Sequence, residues 1–308
     1  MGIKSVSIEK LVFKHGFDAE FCRGVNVLIG GNGTGKTTII REMYYMVDRR
    51  ENCFDDPPEL AEYKRGNIHT LGLSSDGIAM TFYEVTNVHN LVCAFIPEKD
   101  ILEHAMGLLA FIEDKYTGFS EIYRKVLVKA TGAIDKMLSE MQKSVGEKIS
   151  SIIGGHVEWV QGEGTFYMIK DNGERIAFAH EASGYKRLGY LGLLVACGQI
   201  EEGSVLFWDE PENSLNPEIY PKLAEILLEL ARGGVQIFIA THSEILASYL
   251  AVCRQVGDDV LFHSLYKEGG QVKVNSSDRF DLLEPNNLKA EPVKLYKMEI
   301  VKGLGSNG

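Results

Sequence analysis

The residues with the plainest chemistry are Gly30-Gly31-Asn32-Gly33-Thr34-Gly35-Lys36-Thr37, which match G-x-x-x-x-G-K-[ST] in full. Glycines let the backbone curl until successive N–H groups point inward and cradle phosphates. A helix beginning at the end of the loop adds the positive pole of its dipole. Lys36 then reaches the β- and γ-phosphates, and Thr37 offers its hydroxyl to Mg²⁺. Thr38 completes the expected nucleotide-binding set. The ligand implied is ATP with Mg²⁺.

Three other stretches carry chemistry. Val205-Leu206-Phe207-Trp208 is an apolar run that ends in Asp209-Glu210. Asp209 suits Mg²⁺, directly or through water, and Glu210 suits the polarisation of an attacking water. A strand that ends in a solvated acidic turn is the plain alternative. Thr241-His242-Ser243 follows another apolar run. An imidazole there can sense a γ-phosphate, although a lone histidine at a strand end is usually structural. Ala182-Ser183-Gly184 opens a helix. Its N–H groups and the Ser183 hydroxyl can bind an anion, or Ser183 can cap its own helix, which is the simpler local reading.

Elements that position these residues can be read from periodicity. Residues 3–13 alternate as a half-buried strand, and Val25–Ile29 reads as a buried strand leading into the loop. Ile39/Ile40, Met43 and Met46/Val47 mark the buried face of the helix that follows. Residues 51–66 read as a loop, and residues 67–96 as short strands with a turn at Ser74–Gly77. Residues 157–178 resemble a hairpin turning at Asp171-Asn172-Gly173. Asn216-Pro217 starts a helix with Ile219, Leu223, Ile226/Leu227 and Leu230 on its apolar face. Val235–Ala240 is a third buried strand. A hairpin near Gly269-Gly270 and a helix near 292–303 close the chain.

Bulk properties narrow the class. The 308 residues allow one large α/β domain, or a core with a small lobe. A net charge of −11 rules out a basic nucleic-acid coat, though not a local patch. The five cysteines are scattered and fit reduced thiols better than disulfides or a zinc site. No apolar run is long enough to span a bilayer, and a cytoplasmic location is expected.

The pieces fall in the order P-loop, helical insert, S-G helix start, apolar strand ending in D-E-P, then T-H-S. That order resembles the ABC-type ATPases. More narrowly, Asp209–Pro217 (D-E-P-E-N-S-L-N-P) with Ala182–Arg187 (A-S-G-Y-K-R) is similar to prokaryotic ABC-type AAA-family ATPases related to the OLD, RecF and SMC cores. The likeness spans most of residues 1–250. It implies an α/β P-loop NTPase of the ABC class, with a mixed sheet flanked by helices and a helical insert lobe. The implied division is a core of 1–97 and 151–260, an insert at 98–150, and a C-terminal hairpin and helix at 261–308.

The resemblance also implies a mechanism. Two protomers form a head-to-tail homodimer, and ATP on Lys36 and Thr37 of one is capped by Ser183 and Gly184 of the other. Glu210 and His242 complete hydrolysis, and Ser214-Leu215-Asn216 matches the D-loop. Tyr185 and Lys186 depart from the L-S-G-G-Q signature, and Asn216 replaces the D-loop acid. No glutamine marks the Q-loop, where Glu98 or Lys99 stands instead. An adenine contact is sought near Phe13–Phe17. No TOPRIM nuclease set is present, so a separately encoded effector, in defence or DNA maintenance, is the expected output.

A transporter ATPase subunit and a DNA-binding ATPase are the alternatives. For DNA the candidates are Lys115, Lys125, Lys129, Lys136 and Lys143 of the insert. The interleaved Glu113, Asp114, Glu121, Asp135 and Glu140 fit a solvated face better.

Overall fold

The computed structural model describes residues 2–8, 17–48, 69–73, 78–81, 91–99, 102, 105, 121–132 and 137–305. The expected loop at 51–66, the turn at 74–77 and Phe13 lie outside these residues, as do Lys115 and Lys136.

The central sheet is built on three fully buried apolar strands: β3 (Val25–Gly30), β10 (Val205–Asp209) and β11 (Gln236–Thr241). Burial on both faces is what a continuous apolar run predicts for a parallel sheet. The strand order is β13-β12-β3-β11-β10-β6, where β6 is Cys93–Ile96, β12 is Val260–Glu268 and β13 is Gln271–Ser277. All neighbours are parallel except β12 and β13. Phe207 and Phe238 stack at 5.2 Å across β10 and β11. Because the strands run the same way, β3, β10 and β11 all end on one edge of the sheet. The P-loop, Asp209-Glu210 and His242 emerge there.

A second sheet, β2-β1-β4-β5, is antiparallel, with β1 Ile3–Ile8, β2 Phe17–Glu20, β4 His69–Leu73 and β5 Ile78–Thr81. Gln236 ties it to the core. Its Nε2 donates to the carbonyls of Ile3 (2.8 Å) and Cys22 (2.7 Å), and its Oε1 accepts from Ile3 N. A buried amide with its polar atoms paired is a specific tether rather than a penalty.

One reading of strands needs correction. The hairpin expected over 157–178 is a three-stranded meander: β7 (Gly155–Val160), β8 (Thr165–Lys170) and β9 (Arg175–Ala177). Its first turn lies in the Gly-containing run 161–164, which gave no Asn-Gly signal. The hairpin expected around Gly269-Gly270 is formed by β12 and β13. β12 pairs with β3 from Val260↔Val25 to Leu265↔Gly30, so it belongs to the central sheet itself.

Helix α1 (Lys36–Val47) packs against the central sheet and ends at Asp48. In the expected insert region lie α2 (Glu121–Ala130) and α3 (Glu140–Ile153). A capping box between Ser139 and Gln142 starts α3. The same Gln142 reaches Ile200 O at 2.9 Å and holds α3 against α4 (Ser183–Ala196). Helix α4 is apolar nearly all round and correspondingly buried. The chain then enters a single 3₁₀ turn, Pro217–Ile219, capped by Asn216, before α5 (Tyr220–Arg232). Leu223, Ile226, Leu227 and Leu230 are its buried face, as the spacing predicts. α6 (Glu244–Cys253) follows β11, and α7 (Asn287–Gly305) ends the described chain.

Lys125 and Lys129 of α2 clasp Asp48 at 3.1 and 3.0 Å, tying α2 to the P-loop helix. Burial pushes the Asp48 carboxyl up, but Lys129 and Lys125 outweigh it and hold it below its usual range. Asp48→Ala leaves two partly buried lysines without a counter-charge and is expected to lower unfolding free energy by about 3 kcal/mol. The contribution is present at neutral pH and disappears as pH falls through the depressed Asp48 value. Urea unfolding at neutral and acid pH measures this, and the gap between wild type and variant should narrow in acid.

Candidate functional site

Gly35 takes the left-handed conformation (φ 87°) at the N-cap of α1, with no side-chain cap. The first N–H groups of α1 therefore stay available to an anion. Gly31, Asn32 and Gly33 lie exposed, and Thr34 is buried with Oγ1 donating to Gly31 O at 2.8 Å. Gly30 has a second duty, because a Cβ there would meet Leu265 O of β12 at 2.3 Å. Lys36 is 5% exposed and its Nζ donates to Gly30 O at 2.8 Å. Burial pulls its pKa down to about 8, against the opposing charges of Glu210, Asp209 and Glu212. Thr38 sits half-buried on the first turn of α1. Lys267 of β12 brings its Nζ close to Gly33, a cation that no local pattern announces.

Thr37 Oγ1 donates to Asp209 Oδ1 at 3.0 Å. A hydroxyl and a carboxylate at that separation are hard oxygens suited to Mg²⁺. Among the described residues no three His, Cys, Asp or Glu side chains form a metal cage. Burial raises the Asp209 pKa to about 6; the Thr37 hydrogen bond opposes this, and the charges of Glu210 and Glu98 add to it.

Glu210 occupies a left-handed backbone conformation (φ 49°), and so does Ser214 (φ 63°). Non-glycine residues rarely do this, and such strain concentrates where function demands a shape. Arg187, buried on α4, braces the turn: its Nη1 donates to Glu210 O at 2.8 Å and contacts Asp209 O at 3.4 Å. The Glu210 carboxyl lies 3.5 Å from His242 Nε2. Burial raises the Glu210 pKa, and Glu98 raises it further, against Lys36 and Arg187. A carboxylate made more basic is better suited to take a proton from water. Burial, then Lys36, lowers the His242 pKa, which favours the neutral imidazole. Glu98 acts on Asp209, Glu210 and His242 alike, so of the two residues at the Q-loop place it is Glu98 that faces this site. Lys99 instead lines a small pocket with Lys186 and Tyr190.

Ser183 is exposed at the first turn of α4, but it does not cap that helix. The N-cap is Ala182, which offers no side-chain hydrogen bond. Gly184 is buried, and a Cβ there would lie 2.6 Å from Ser214 O. Within one protomer it is thus the seat of the 210–216 loop. Ser183 and Gly184 do not join the Lys36, Thr37, Asp209, Glu210 and His242 group in the hydrogen bonds and ion pairs of one protomer. Lys186 turns inward, 4% exposed, with Nζ on Ala179 O at 3.2 Å. Tyr185 packs under the Lys170 ammonium.

Residues 99–248 match a family model described as AAA domain, putative AbiEii toxin, Type IV TA system. This match and the P-loop fold together support an ABC/AAA-type ATPase. Solved structures similar to the ATPase include an SmcHead bound to the C-winged helix domain of ScpA. That match has 14% identity and a TM-score of 0.53, over 90% of this chain and 98% of the other. An Smc head domain with an extended coiled coil, bound to the C-terminal domain of ScpA from Pyrococcus furiosus, aligns at 11% identity and TM-score 0.51. It covers 96% of this chain and 99% of that one. A bacterial Atm1-family ABC exporter with ATP bound aligns at 16% identity and TM-score 0.51, covering 94% of the ATPase and 41% of the exporter chain. No curated protein matches the sequence.

Arg187 and Glu212 are site residues that sequence reasoning did not single out. Glu212 accepts from Thr241 Oγ1, His242 N and Ser243 N with one oxygen. No spacing rule links position 212 to 241–243, and Glu212 stands in the sequence among other polar residues, Glu210, Asn213 and Ser214.

The burial of Asp209 is unfavourable to its charged form, so folding gains from neutralising it. Asp209→Asn, which can still accept from Thr37, is expected to raise the melting temperature of nucleotide-free protein while abolishing Mg²⁺-dependent turnover. Calorimetric melts at neutral pH test the stability half, and phosphate release tests the other.

Proposed function

We propose that two copies of the ATPase close head to tail around two Mg²⁺–ATP molecules, and that this closure drives a separately encoded effector. The observation that carries the reading is the Thr37–Asp209 contact at 3.0 Å beside the Glu210–His242 contact at 3.5 Å. It gathers a phosphate loop, a metal-binding pair and a water-polarising pair at one sheet edge. The P-loop amides and Lys36 bind the phosphates of the substrate. Thr37 and Asp209 would hold Mg²⁺, which would supply positive charge beside the phosphates. Glu210 takes the proton of the attacking water, and the neutral His242 fixes the orientation of that water and the γ-phosphate.

The uncapped start of α4 supports the dimer. Ser183 faces solvent with free helix N–H groups behind it, an anion site that its own P-loop does not fill. A C₂ pairing supplies the missing phosphate from the second copy. The family description matched by residues 99–248 points to toxin–antitoxin or defence systems as the setting. Partner binding is supported by the similar Smc heads, which are bound to domains of ScpA.

Direct DNA binding through the insert is less well supported. Lys125 and Lys129 are spent on Asp48, and Lys143 pairs with Glu140. For a transporter subunit, no helix among the described residues is long and apolar enough to cross a membrane.

Lys36→Ala is expected to abolish ATP binding by calorimetry. Glu210→Gln should bind ATP with near wild-type affinity and hydrolyse it at least about 100-fold more slowly. On gel filtration with Mg²⁺–ATP it should run as a dimer. A Glu210→Gln protein that binds ATP yet stays monomeric would refute the head-to-tail arrangement.

A further inference from the structure

We propose that Glu212 is the positioning residue of the site, holding His242 in register with Glu210; this rests on the reading of His242 given above. Glu212 lies on the loop between β10 and α5, two residues beyond Glu210 and two before Ser214. Its Oε1 accepts from Thr241 Oγ1 at 2.6 Å, His242 N at 2.9 Å and Ser243 N at 3.1 Å. Thr241 Oγ1 also accepts from Ser243 N at 2.9 Å, so one carboxylate oxygen organises the whole turn that carries His242. Charge-assisted hydrogen bonds are short and directional, and three on one atom, two from backbone amides and one from a hydroxyl, leave the turn little freedom.

Two further observations point to the site rather than to bulk stability. Glu212 is 9% exposed, and its second oxygen, Oε2, is buried with no hydrogen-bond partner among the described residues. A half-satisfied buried carboxylate is a poor stabilising device. It is kept where its shape or charge serves something else. The same loop is also strained at both ends of the strut, at Glu210 and Ser214, and it rests on Gly184 through Ser214 O and Leu215. Glu212 therefore connects three parts of the site: the strained turn bearing Glu210, the turn bearing His242, and the start of α4. A movement of the 210–216 loop is transmitted to the imidazole through this carboxylate.

The simpler role would be a helix brace, since Ser243 is the N-cap of α6 and its side chain accepts from Leu246 N. The two roles differ in what a variant changes. Glu212→Ala removes all three acceptor contacts. Glu212→Gln keeps an oxygen in the same place.

The experiment combines steady-state Mg²⁺–ATP turnover, thermal melting and nitrogen NMR of the His242 imidazole in nucleotide-free protein, on Glu212→Ala, Glu212→Gln, His242→Ala and the Glu212→Ala/His242→Ala double variant. Positioning predicts that Glu212→Ala lowers kcat by roughly 100-fold, the loss expected when a reacting group is misplaced by about 1 Å. KM for ATP should change by less than about threefold. Glu212→Gln should recover most of the lost turnover. The double variant should be no worse than His242→Ala alone, because the two residues act as one unit. The His242 imidazole signals should move in Glu212→Ala and return toward wild type in Glu212→Gln.

Imidazole signals unmoved by Glu212→Ala overturn the proposal whatever happens to turnover. Losses that multiply in the double variant, or a fall in melting temperature and ATP affinity that accounts for the fall in kcat, overturn it as well. Should His242→Ala turn over ATP at the wild-type rate, the catalytic reading of His242 fails instead. Moved imidazole signals would then still stand for the strut.

Discussion

The contact between Thr37 Oγ1 and Asp209 Oδ1 joins two segments 172 positions apart in the chain, and the site depends on it. It is formed because β3 and β10 are parallel strands of one sheet, with β11 between them, and all three end together. Parallel strands need long crossovers. Much of the rest of the molecule is such crossovers, and it keeps both faces of the sheet dry. The hydrophobic core thus serves a polar end: it holds a hydroxyl and a carboxylate at metal-ligating separation in a setting where both are largely removed from water.

That setting works against charge, and the consequences are visible at each member of the site. Lys36 falls to about 8 and Asp209 rises to about 6, in both cases chiefly by burial. Glu210 is raised and His242 lowered for the same first reason. Opposite charges offset part of the burden, since Glu210 and Asp209 support Lys36 while Lys36 opposes the rise at Glu210. The four groups form one electrostatic unit. A substrate carrying phosphates and a divalent ion would complete its balance better than any single counter-ion. Strained backbone at Glu210 and Ser214 belongs to the same economy of local instability held by a rigid surround.

The surround has an identifiable structure. Arg187 grips the carbonyls of Asp209 and Glu210 from α4, and Glu212 grips the turn of His242 from the loop that follows β10. Gly184 lets that loop sit directly on the start of α4. Helix α4, whose exposed tip would meet a second protomer's nucleotide, is therefore in mechanical contact with the catalytic turn of its own protomer. Coupling between two sites needs such a contiguous element with more than one arrangement. Here the path is short: one helix, one loop and two buried charged side chains.

How much of this was legible in the sequence follows from the range of the interactions. The P-loop was readable because its conformation is local: glycines, a helix start and a lysine act within a single turn. The strands β3, β10 and β11 were readable because burial on both faces leaves an unbroken apolar run, and α5 because its stripe has helical spacing. Order along the chain then suggested which ends carry chemistry. The rest required the fold. Gly30 looked like a phosphate-loop glycine, yet it must also admit Leu265 O of β12. Ser183 read locally as a cap, whereas it is the first helical residue and the N-cap position falls on Ala182. The hairpin of β12 and β13 was legible at Gly269-Gly270, but the pairing of β12 with β3 was not, because a strand's partner is not written in its own alternation. Arg187 and Glu212 carried no recognisable spacing, since each acts on a segment remote in sequence. The sequence by itself therefore determined the local chemistry and the buried strands. Only tertiary structure decided which distant charges brace that chemistry, because hydrogen bonds across a sheet edge depend on register and strand order rather than on neighbours in the chain.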